Sequence, residues 1–274
     1  MLQLEVKQNT EAEQLKRQFC KVMAISAQQV PQTPTQGQIL HLKPLIPHLM
    51  EATTTWLPSV ADADLLWSFI GVARFYNGQG AYAQAAPWYE ECLAVCRDRL
   101  GADHLAVATS LNNLAALYEA QGRYSDAELL YVQALELMQR LLGADHPAVA
   151  TSLNNLASLY QMQGRYSEAE PLYVQALELM QHLLGADHPA VATSLNNLAG
   201  LYQMQGRYSE AEPLYVQALD ILFNRLGEDH PNTQTVLNNF VGLLRQTIAE
   251  GRTAELSDHP YTQARLQHLQ ASSS

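Results

Sequence analysis

The 42-residue phrase at 104–145 decides the fold of this chain: HLAVATSLNNLAALYEAQGRYSDAELLYVQALELMQRLLGAD. It returns at 146–187 with 35 of 42 positions unchanged, and at 188–229 with 34 of 42 unchanged from the copy before it. A fainter copy precedes these at 62–103, and a partial copy lies within 230–274. A fixed period of this size indicates stacked supersecondary units, none of which buries its apolar face alone.

Each copy contains two stretches with helical periodicity. In the third clear copy the apolar residues of the first stretch recur at 3.6-residue intervals: Val191, Leu195, Leu198, Ala199 and Tyr202. We expect Asp187 to cap this helix and Gly206 to end it. Ser209 and Glu212 have the spacing of a capping box for the second helix, which Gly227 ends. Each copy therefore predicts two antiparallel helices of about five turns each, and the whole chain an all-α solenoid.

These residues resemble the tetratricopeptide repeat. Its small and aromatic positions correspond here to Leu198, Ala199, Tyr202, Gly206, Tyr208, Ala211, Tyr215 and Ala218. The ordinary repeat has about 34 residues, and the phrases LGADHPAVATSLNNLA and GRYSEAEPLY in this longer repeat resemble the kinesin light chain subclass. The resemblance implies a right-handed superhelix of helix pairs, in which the first helices line a groove for an extended peptide.

The repeats set the predicted domain boundaries. Four full repeats are expected at 62–103, which is degenerate, and at 104–145, 146–187 and 188–229. Residues 230–274 are interpreted as a partial fifth repeat with a frayed polar tail, because the pattern decays there.

Residues 1–61 lack the repeat and predict a helical cap. Two helices are expected, joined by the breaker-rich linker 31–38, with Leu15, Phe19, Val22 and Met23 on one side of the first. The junction between this cap and the repeats resembles that of bacterial, especially cyanobacterial, proteins with an NB-ARC-type nucleotide-binding domain ahead of such arrays. No GxxxxGK(S/T) phosphate loop occurs in this sequence.

The composition predicts the cellular compartment and disfavours some classes of partner. Net charge is −11 with only 16% charged residues, which disfavours nucleic-acid and anionic-membrane surfaces. The sequence has no apolar run near the 18 or so residues of a membrane helix, and its first residues do not resemble a secretory signal. Three cysteines do not form a disulfide framework, so a reducing cytoplasm is expected.

The sequence predicts no cofactor and no catalytic or metal site. Histidines recur once per repeat, at His104, His146, His188 and His230. Stacked repeats lie about 10 Å apart, whereas Zn–N bonds are about 2 Å, so one ion cannot join them. These histidines are interpreted as part of helix-start turns, and no convergent catalytic set is legible. We expect a protein that is not an enzyme.

Paired asparagines in the middle of each first helix are the candidate binding residues. Asparagine is a poor mid-helix residue, and its amide suits a peptide backbone because it both donates and accepts. The family resemblance implies a groove formed by Thr109, Asn112, Asn113, Thr151, Asn154, Asn155, Gln161, Met162, Thr193, Asn196, Asn197, Gln203, Met204, Asn238, Asn239, Arg74 and Arg245. The alternative is that one asparagine of each pair satisfies backbone groups of the adjacent repeat, and that the near-identical copies reflect recent duplication.

Three functions are compatible with the sequence. The favoured one is a scaffold that binds a protein or peptide segment of mixed polarity, with any anchoring charge at the two ends, Arg74 and Arg245. The second is the ligand-sensing arm of an NB-ARC-type ATPase. The third is self-assembly through the ends of the solenoid, so the chain is expected to be a monomer or to self-associate weakly.

Overall fold

The chain folds as two compact units, Met1–Leu141 and Leu142–Ser274, in a computed structural model that describes residues 2–32 and 34–271 and omits the side chains of 2–8. All regular elements in these described ranges are helical. The predicted fold class, all-α with tandem antiparallel helix pairs, is confirmed. None of the described helices has both the length and the apolar character needed to cross a bilayer.

The first unit contains the N-terminal cap and the first two repeats. Its described α-helices are α1 (Leu2–Gln28), α2 (Gln36–Leu42), α3 (Ile46–Thr53), α4 (Leu65–Asn77), α5 (Tyr82–Leu100), α6 (Leu105–Ala120) and α7 (Tyr124–Leu142). Helices α1 and α3 pack against α4, which pairs with α5, and α5 packs against α6. The cap therefore covers the first helix of the first repeat.

The cap differs from its prediction in two ways. It has three described α-helices instead of two, because α2 begins inside the predicted linker. The buried face of α1 is Cys20, Met23, Ala24 and Ala27, whereas Leu15 and Val22 are 66% and 55% exposed. The small residues decide this face: a Cβ at Gly71 of α4 would lie 2.6 Å from Ala27 Cβ, so only glycine permits the close approach of α1.

The second unit contains the later repeats. Its α-helices within the described residues are α8 (Pro147–Met162), α9 (Tyr166–Leu184), α10 (Pro189–Met204), α11 (Tyr208–Leu226), α12 (Pro231–Ala249) and α13 (Pro260–Ala271). Each helix of α8–α12 packs against the next, and the first helices α8, α10 and α12 also lie side by side. The core between them includes Ala157, Ala169, Tyr173, Leu198 and Leu201.

Histidine, and not the preceding aspartate, caps the first helices. His188 Nδ1 accepts the backbone N–H of Ala190 at 3.1 Å, and His104, His146 and His230 cap α6, α8 and α12 in the same way. The predicted cap at Asp187 is therefore wrong by one residue. At the other end of α10 the prediction is confirmed: Gly206 has φ +71°, which favours glycine.

The predicted capping box at Ser209 and Glu212 is wrong. Helix α11 begins one residue earlier, at Tyr208, and Glu212 is buried at 1% exposure. Its carboxylate accepts the hydroxyls of Ser257, at 2.9 Å, and Thr262. The Glu212 side chain is thus a buried anchor for the C-terminal segment.

The C-terminal region is a docked helix up to residue 271, and not the truncated, fraying tail that was predicted. Tyr261 of α13 stacks on Phe240 of α12 with ring centroids 5.8 Å apart, and Leu266 is buried. Helix α12 runs three residues longer than α10, and Gly251 (φ +68°) ends it. Residues 272–274 lie outside the described part.

Candidate functional site

The predicted groove residues of the second unit separate into two columns along the first helices. Thr151, Asn155 and Met162 share one face of α8, as do Thr193, Asn197 and Met204 on α10; we call these six residues the open column. Asn154 and Gln161 lie about 80–100° further round α8, as do Asn196 and Gln203 on α10, because each residue turns a helix by about 100°. These four residues form the bridging column.

The bridging column connects neighbouring repeats. Asn154 Nδ2 donates to Ser194 Oγ at 3.3 Å, across α8 and α10. Asn196 Oδ1 accepts from Asn239 Nδ2 at 2.9 Å, across α10 and α12. The buried Ser194 side chain, 1% exposed, was not predicted as part of the site, although a serine stands at this position in all three clear copies. On α8 and α10 one asparagine of each pair therefore contacts the adjacent repeat, but its partner is a side chain and not the backbone that the alternative expected.

The two glutamines of the bridging column also accept a buried tyrosine hydroxyl. Tyr173 donates to Gln161 Oε1, and Tyr215 donates to Gln203 Oε1, both at 3.0 Å. Gln203 Nε2 then donates to Gln246 Oε1 on α12 at 3.1 Å. Burial raises the pKa of the Tyr215 hydroxyl, so it stays a donor at neutral pH. The glutamines hold the helix pair and the next repeat together.

The thioethers of the open column are exposed, and its two asparagines are half-buried. Met162 and Met204 are 53% and 54% exposed, which is high for large apolar side chains. Asn155 makes no side-chain hydrogen bond to the described residues, whereas Asn197 accepts weakly from Asn196 at 3.3 Å. Each repeat therefore places one half-buried amide and one exposed thioether on the same helix face, and Met204 Sδ also accepts from Gln161 Nε2 at 3.0 Å.

The threonines of the open column have a mainly local role. Thr151 and Thr193 donate to the carbonyls of Pro147 and Pro189, four residues back, at 3.2 and 3.4 Å. Thr109 of α6 does the same to Leu105 at 3.0 Å. Their hydroxyl protons are engaged, but the methyl groups remain on the exposed face.

The first unit places three predicted residues on α6. Asn112 and Asn113 are both half-buried, and Asn113 Nδ2 is buried without a hydrogen-bond partner in the described part of the chain. At the position equivalent to Gln161 stands Glu119, which accepts the Tyr131 hydroxyl at 2.9 Å. Burial raises the pKa of the Glu119 carboxyl. Glu119 was missed in the prediction because only its equivalents Gln161 and Gln203 were included.

The two predicted end charges differ in their surroundings. Arg74 is half-buried, donates to the Val30 carbonyl of the cap at 3.1 Å and lies over the Trp67 ring. Burial lowers the pKa of its guanidinium. Arg74 is therefore engaged in holding the cap. Arg245 on α12 is exposed, as are Asn238 and Asn239 on the same helix.

Charged groups of the second unit concentrate on the second helices and the turns. Helices α8 and α10 contain no Asp, Glu, Lys or Arg. At the start of α11, Arg207 lies 3.9 Å above the Tyr202 ring and bonds to Glu170 and Glu210 at 2.8 and 2.7 Å. The hydrogen bonds to Glu210 and Glu170 raise the pKa of Arg207. This cluster connects α9 and α10 of neighbouring repeats to the start of α11.

The histidines that cap the first helices and the cysteines of α5 belong to neither column. Cys92 and Cys96 are buried in α5, with Cys92 Sγ 3.4 Å from Ser110 Oγ. Their mutual hydrogen bond and burial raise the pKa of Cys92, which is typical of an inert core thiol. Within residues 2–32 and 34–271, no three His, Cys, Asp or Glu side chains come together as a metal site would require.

Comparison with known proteins places these helix pairs in a family. The tetratricopeptide repeat model matches residues 64–139, 130–181 and 158–222, which together span more than half of the chain. No curated protein matches the sequence. Among solved structures, a candidate kinesin light chain of Podosopora anserina with nearly identical tetratricopeptide-like repeats is 27% identical, with a TM-score of 0.60 over 75% of this chain and 93% of that one.

Two more distant structures share the fold. BtubC (BKLC) from P. vanneervenii is 23% identical, with a TM-score of 0.65 over 87% of this chain and 92% of that one. NprR, solved in complex with its cognate peptide NprX, is 14% identical, with a TM-score of 0.60 over 89% of this chain and 64% of that one. The repeats, their helix geometry and the family match agree: the chain belongs to the tetratricopeptide repeat family and is kinesin light chain-like in its repeats.

Proposed function

We propose that this protein is a non-enzymatic interaction scaffold that binds an extended peptide segment along the open column of its first helices. The tetratricopeptide repeats support the coarser statement, a protein-interaction scaffold. The solved NprR complex contains a peptide, which shows that a related fold can hold one. A cytoplasmic setting without nucleic-acid or membrane partners stays a prediction from composition.

The observation that carries the proposal is the division into two columns. The bridging amides are bound to the next repeat, whereas the open column keeps Met162 and Met204 exposed and leaves the half-buried Asn155 without a hydrogen bond to the described residues. An accessible amide can pair with a peptide N–H and C=O of any sequence, and a thioether adapts to apolar side chains of different shape. Together they suit a peptide of mixed polarity.

Helix spacing favours an extended ligand. Packed helices lie about 8–10 Å apart, and an extended chain advances about 3.3 Å per residue. One repeat therefore corresponds to about three peptide residues, and the face of α8, α10 and α12 to about seven. A helical ligand advances only about 1.5 Å per residue and would present its backbone groups already paired, so it would not use the open amides.

A selection experiment tests the proposal. A displayed library of random linear 12-residue peptides is selected against the whole chain and against a variant carrying Met162→Glu and Met204→Glu. A matched control carries Leu129→Glu, at a residue that is 59% exposed on the second helix α7. We expect peptides enriched by the parent and the control to lose binding to the double variant. Equal binding to all three, or no enrichment by the parent, would contradict the proposal.

The sensor-arm hypothesis is a second candidate because of one feature of the cap. Leu15, Val22 and Ile25 are 66%, 55% and 49% exposed on α1 and form an apolar stripe directed away from the repeats. Such a stripe suits contact with another folded surface. The mass of the native polypeptide in its source cells tests this: an ATPase arm requires a mass well above 30.4 kDa.

The structure of the C-terminal region does not favour the self-assembly hypothesis. The sequence predicts an incomplete last repeat with a frayed tail, but α13 covers the last helix pair through Tyr261, Thr262 and Leu266. We therefore give it no weight as a function of the described C-terminal end.

A further inference from the structure

The exposed face of the first helices in the second unit has a single charge. Helices α8 and α10 contain no charged residue, and α12 contains only Arg245. This is unusual in a chain with a net charge of −11. A ligand lying along this face therefore meets amides, hydroxyls and thioethers, with one cation at its α12 edge.

Arg245 has no partner within the described protein. Its side chain is exposed and forms no hydrogen bond or ion pair with the residues that the structure describes. By contrast, Arg74 donates to the Val30 carbonyl, and Arg207 and Arg252 bond to carboxylates. Arg245 is available for an external anion.

The position of Arg245 explains why it is unpaired. It occupies the place of Gln203 in the preceding repeat, where the side chain bonds to the next first helix through Gln246. Helix α12 is the last first helix in the described chain, so Arg245 and Asn238, seven residues apart on one face, have no such neighbour. The nearest acid along α12, Glu250, is already held by the Tyr208 hydroxyl at 2.7 Å and by Arg252 at 3.3 Å.

We propose that the peptide ligand carries one acidic side chain that pairs with Arg245, while the rest of the bound segment is uncharged. This inference rests on the proposed function and specifies the class of peptide. A side-chain carboxylate is favoured over a terminal one, because a peptide that crosses three helices need not end at their edge. An arginine pairs with a carboxylate through two parallel hydrogen bonds, which would fix the direction and register of an otherwise uniform repeat.

A charge-swap selection tests this inference. The random 12-residue library is selected in parallel against the whole chain and against Arg245→Glu, with Arg225→Glu as a control at an arginine whose partner is Asp187 of the same unit. We expect one enriched Asp or Glu in peptides selected by the parent and the control, and a Lys or Arg in its place for Arg245→Glu. Peptides without a preferred charge in all three selections would overturn the inference.

Measured affinities complete the test. For a selected peptide, Arg245→Ala is expected to weaken binding about two- to fivefold, because an exposed ion pair has a modest effect that salt screens further. Amidation of the peptide C-terminus should leave binding unchanged, and loss of binding on amidation would overturn the side-chain assignment. If the parent binds the peptide but Arg245→Ala binds it equally at low salt, the anchor is wrong although the peptide-binding function stands.

Discussion

Gln203 offers the sharpest test of the bridging column. Its side chain accepts the hydroxyl of Tyr215, a residue only 2% exposed, and donates to Gln246 of the next first helix. Gln203→Ala removes both bonds. In the first unit the equivalent residue, Glu119, accepts from Tyr131 in the same geometry, so glutamate is a natural replacement at this position.

The expected loss of stability follows from these contacts. A buried tyrosine hydroxyl without an acceptor costs about 1–3 kcal/mol, and the partly buried bond to Gln246 contributes about 0.5–1.5 kcal/mol. Alanine has a higher helix propensity than glutamine, which offsets this loss of stability by roughly a few tenths of a kcal/mol. Gln203→Ala should therefore destabilise the second unit by about 2–3 kcal/mol. Gln203→Glu should cost about 1 kcal/mol or less, because it keeps the acceptor for Tyr215.

Urea unfolding with residue-level detection measures this difference. All three tryptophans, Trp56, Trp67 and Trp88, lie in the first unit, so their fluorescence does not report on the second. Far-UV circular dichroism, combined with amide hydrogen exchange in α10 and α12, reports on the second unit. The control is Met162→Ala, at a residue that is 53% exposed, with an expected change within about 0.5 kcal/mol. A Gln203→Ala variant as stable as this control would refute the structural role of the bridging column.

Three further predictions concern single side chains. Burial raises the pKa of Glu119, so the ionised carboxylate destabilises the folded protein as pH rises through the raised pKa. This effect is absent below about 4.3, the ordinary glutamate pKa. Glu119→Gln should therefore raise the midpoint of tryptophan-detected unfolding more at pH 7 than at pH 4, and an equal gain at both would contradict this. Glu212→Ala leaves the hydroxyls of Ser257 and Thr262 without an acceptor and should lower the free energy of unfolding by about 2 kcal/mol. Limited proteolysis should then cut α13 faster in Glu212→Ala than in Glu212→Gln. Equal protection of α13 in both variants would show that the anchor is unimportant. His188→Ala removes a helix cap and should cost about 1 kcal/mol in urea unfolding, whereas a larger loss for Asp187→Ala would mean that the aspartate is the cap after all.

Much of the fold follows from the repeat alone. The 42-residue period and the glycines at its turns define each helix pair, because Gly206 and its equivalents allow a positive φ that other residues avoid. Helix starts were harder to predict. Capping preferences favour aspartate over histidine, yet the chain places His188 at the capping position and Asp187 one residue outside the helix.

The ends of the chain could not be predicted from the repeat pattern. Three extra residues in α12 move the turn glycine from position 248 to Gly251, so the 42-residue period alone does not locate the end of this helix. In α1 the large apolar side chains suggested the buried face, but the close packing of Ala27 against Gly71 turns a different face, with Ala24 and Ala27, into the core.

The sequence predicted the groove residues as one group, but it did not predict their division into a bridging and an open column. Adjacent asparagines such as Asn154 and Asn155 are equivalent in composition, and only the packing of α8 against α10 shows which of them meets Ser194. The same packing shows that Gln161 is engaged while Met162 is exposed. The position of each side chain relative to the next repeat therefore decides its role.

The affinity of one selected peptide for two double variants tests the central claim most directly. Asn155→Ala with Asn197→Ala removes the open amides, and Asn154→Ala with Asn196→Ala removes the bridging ones. Isothermal titration should show a loss of about tenfold or more for the first pair, since each amide contributes roughly 0.5–1.5 kcal/mol, and a change below about threefold for the second at a temperature where both remain folded. Equal affinities for the parent and the open-column variant, or a larger loss for the bridging variant, would contradict the account.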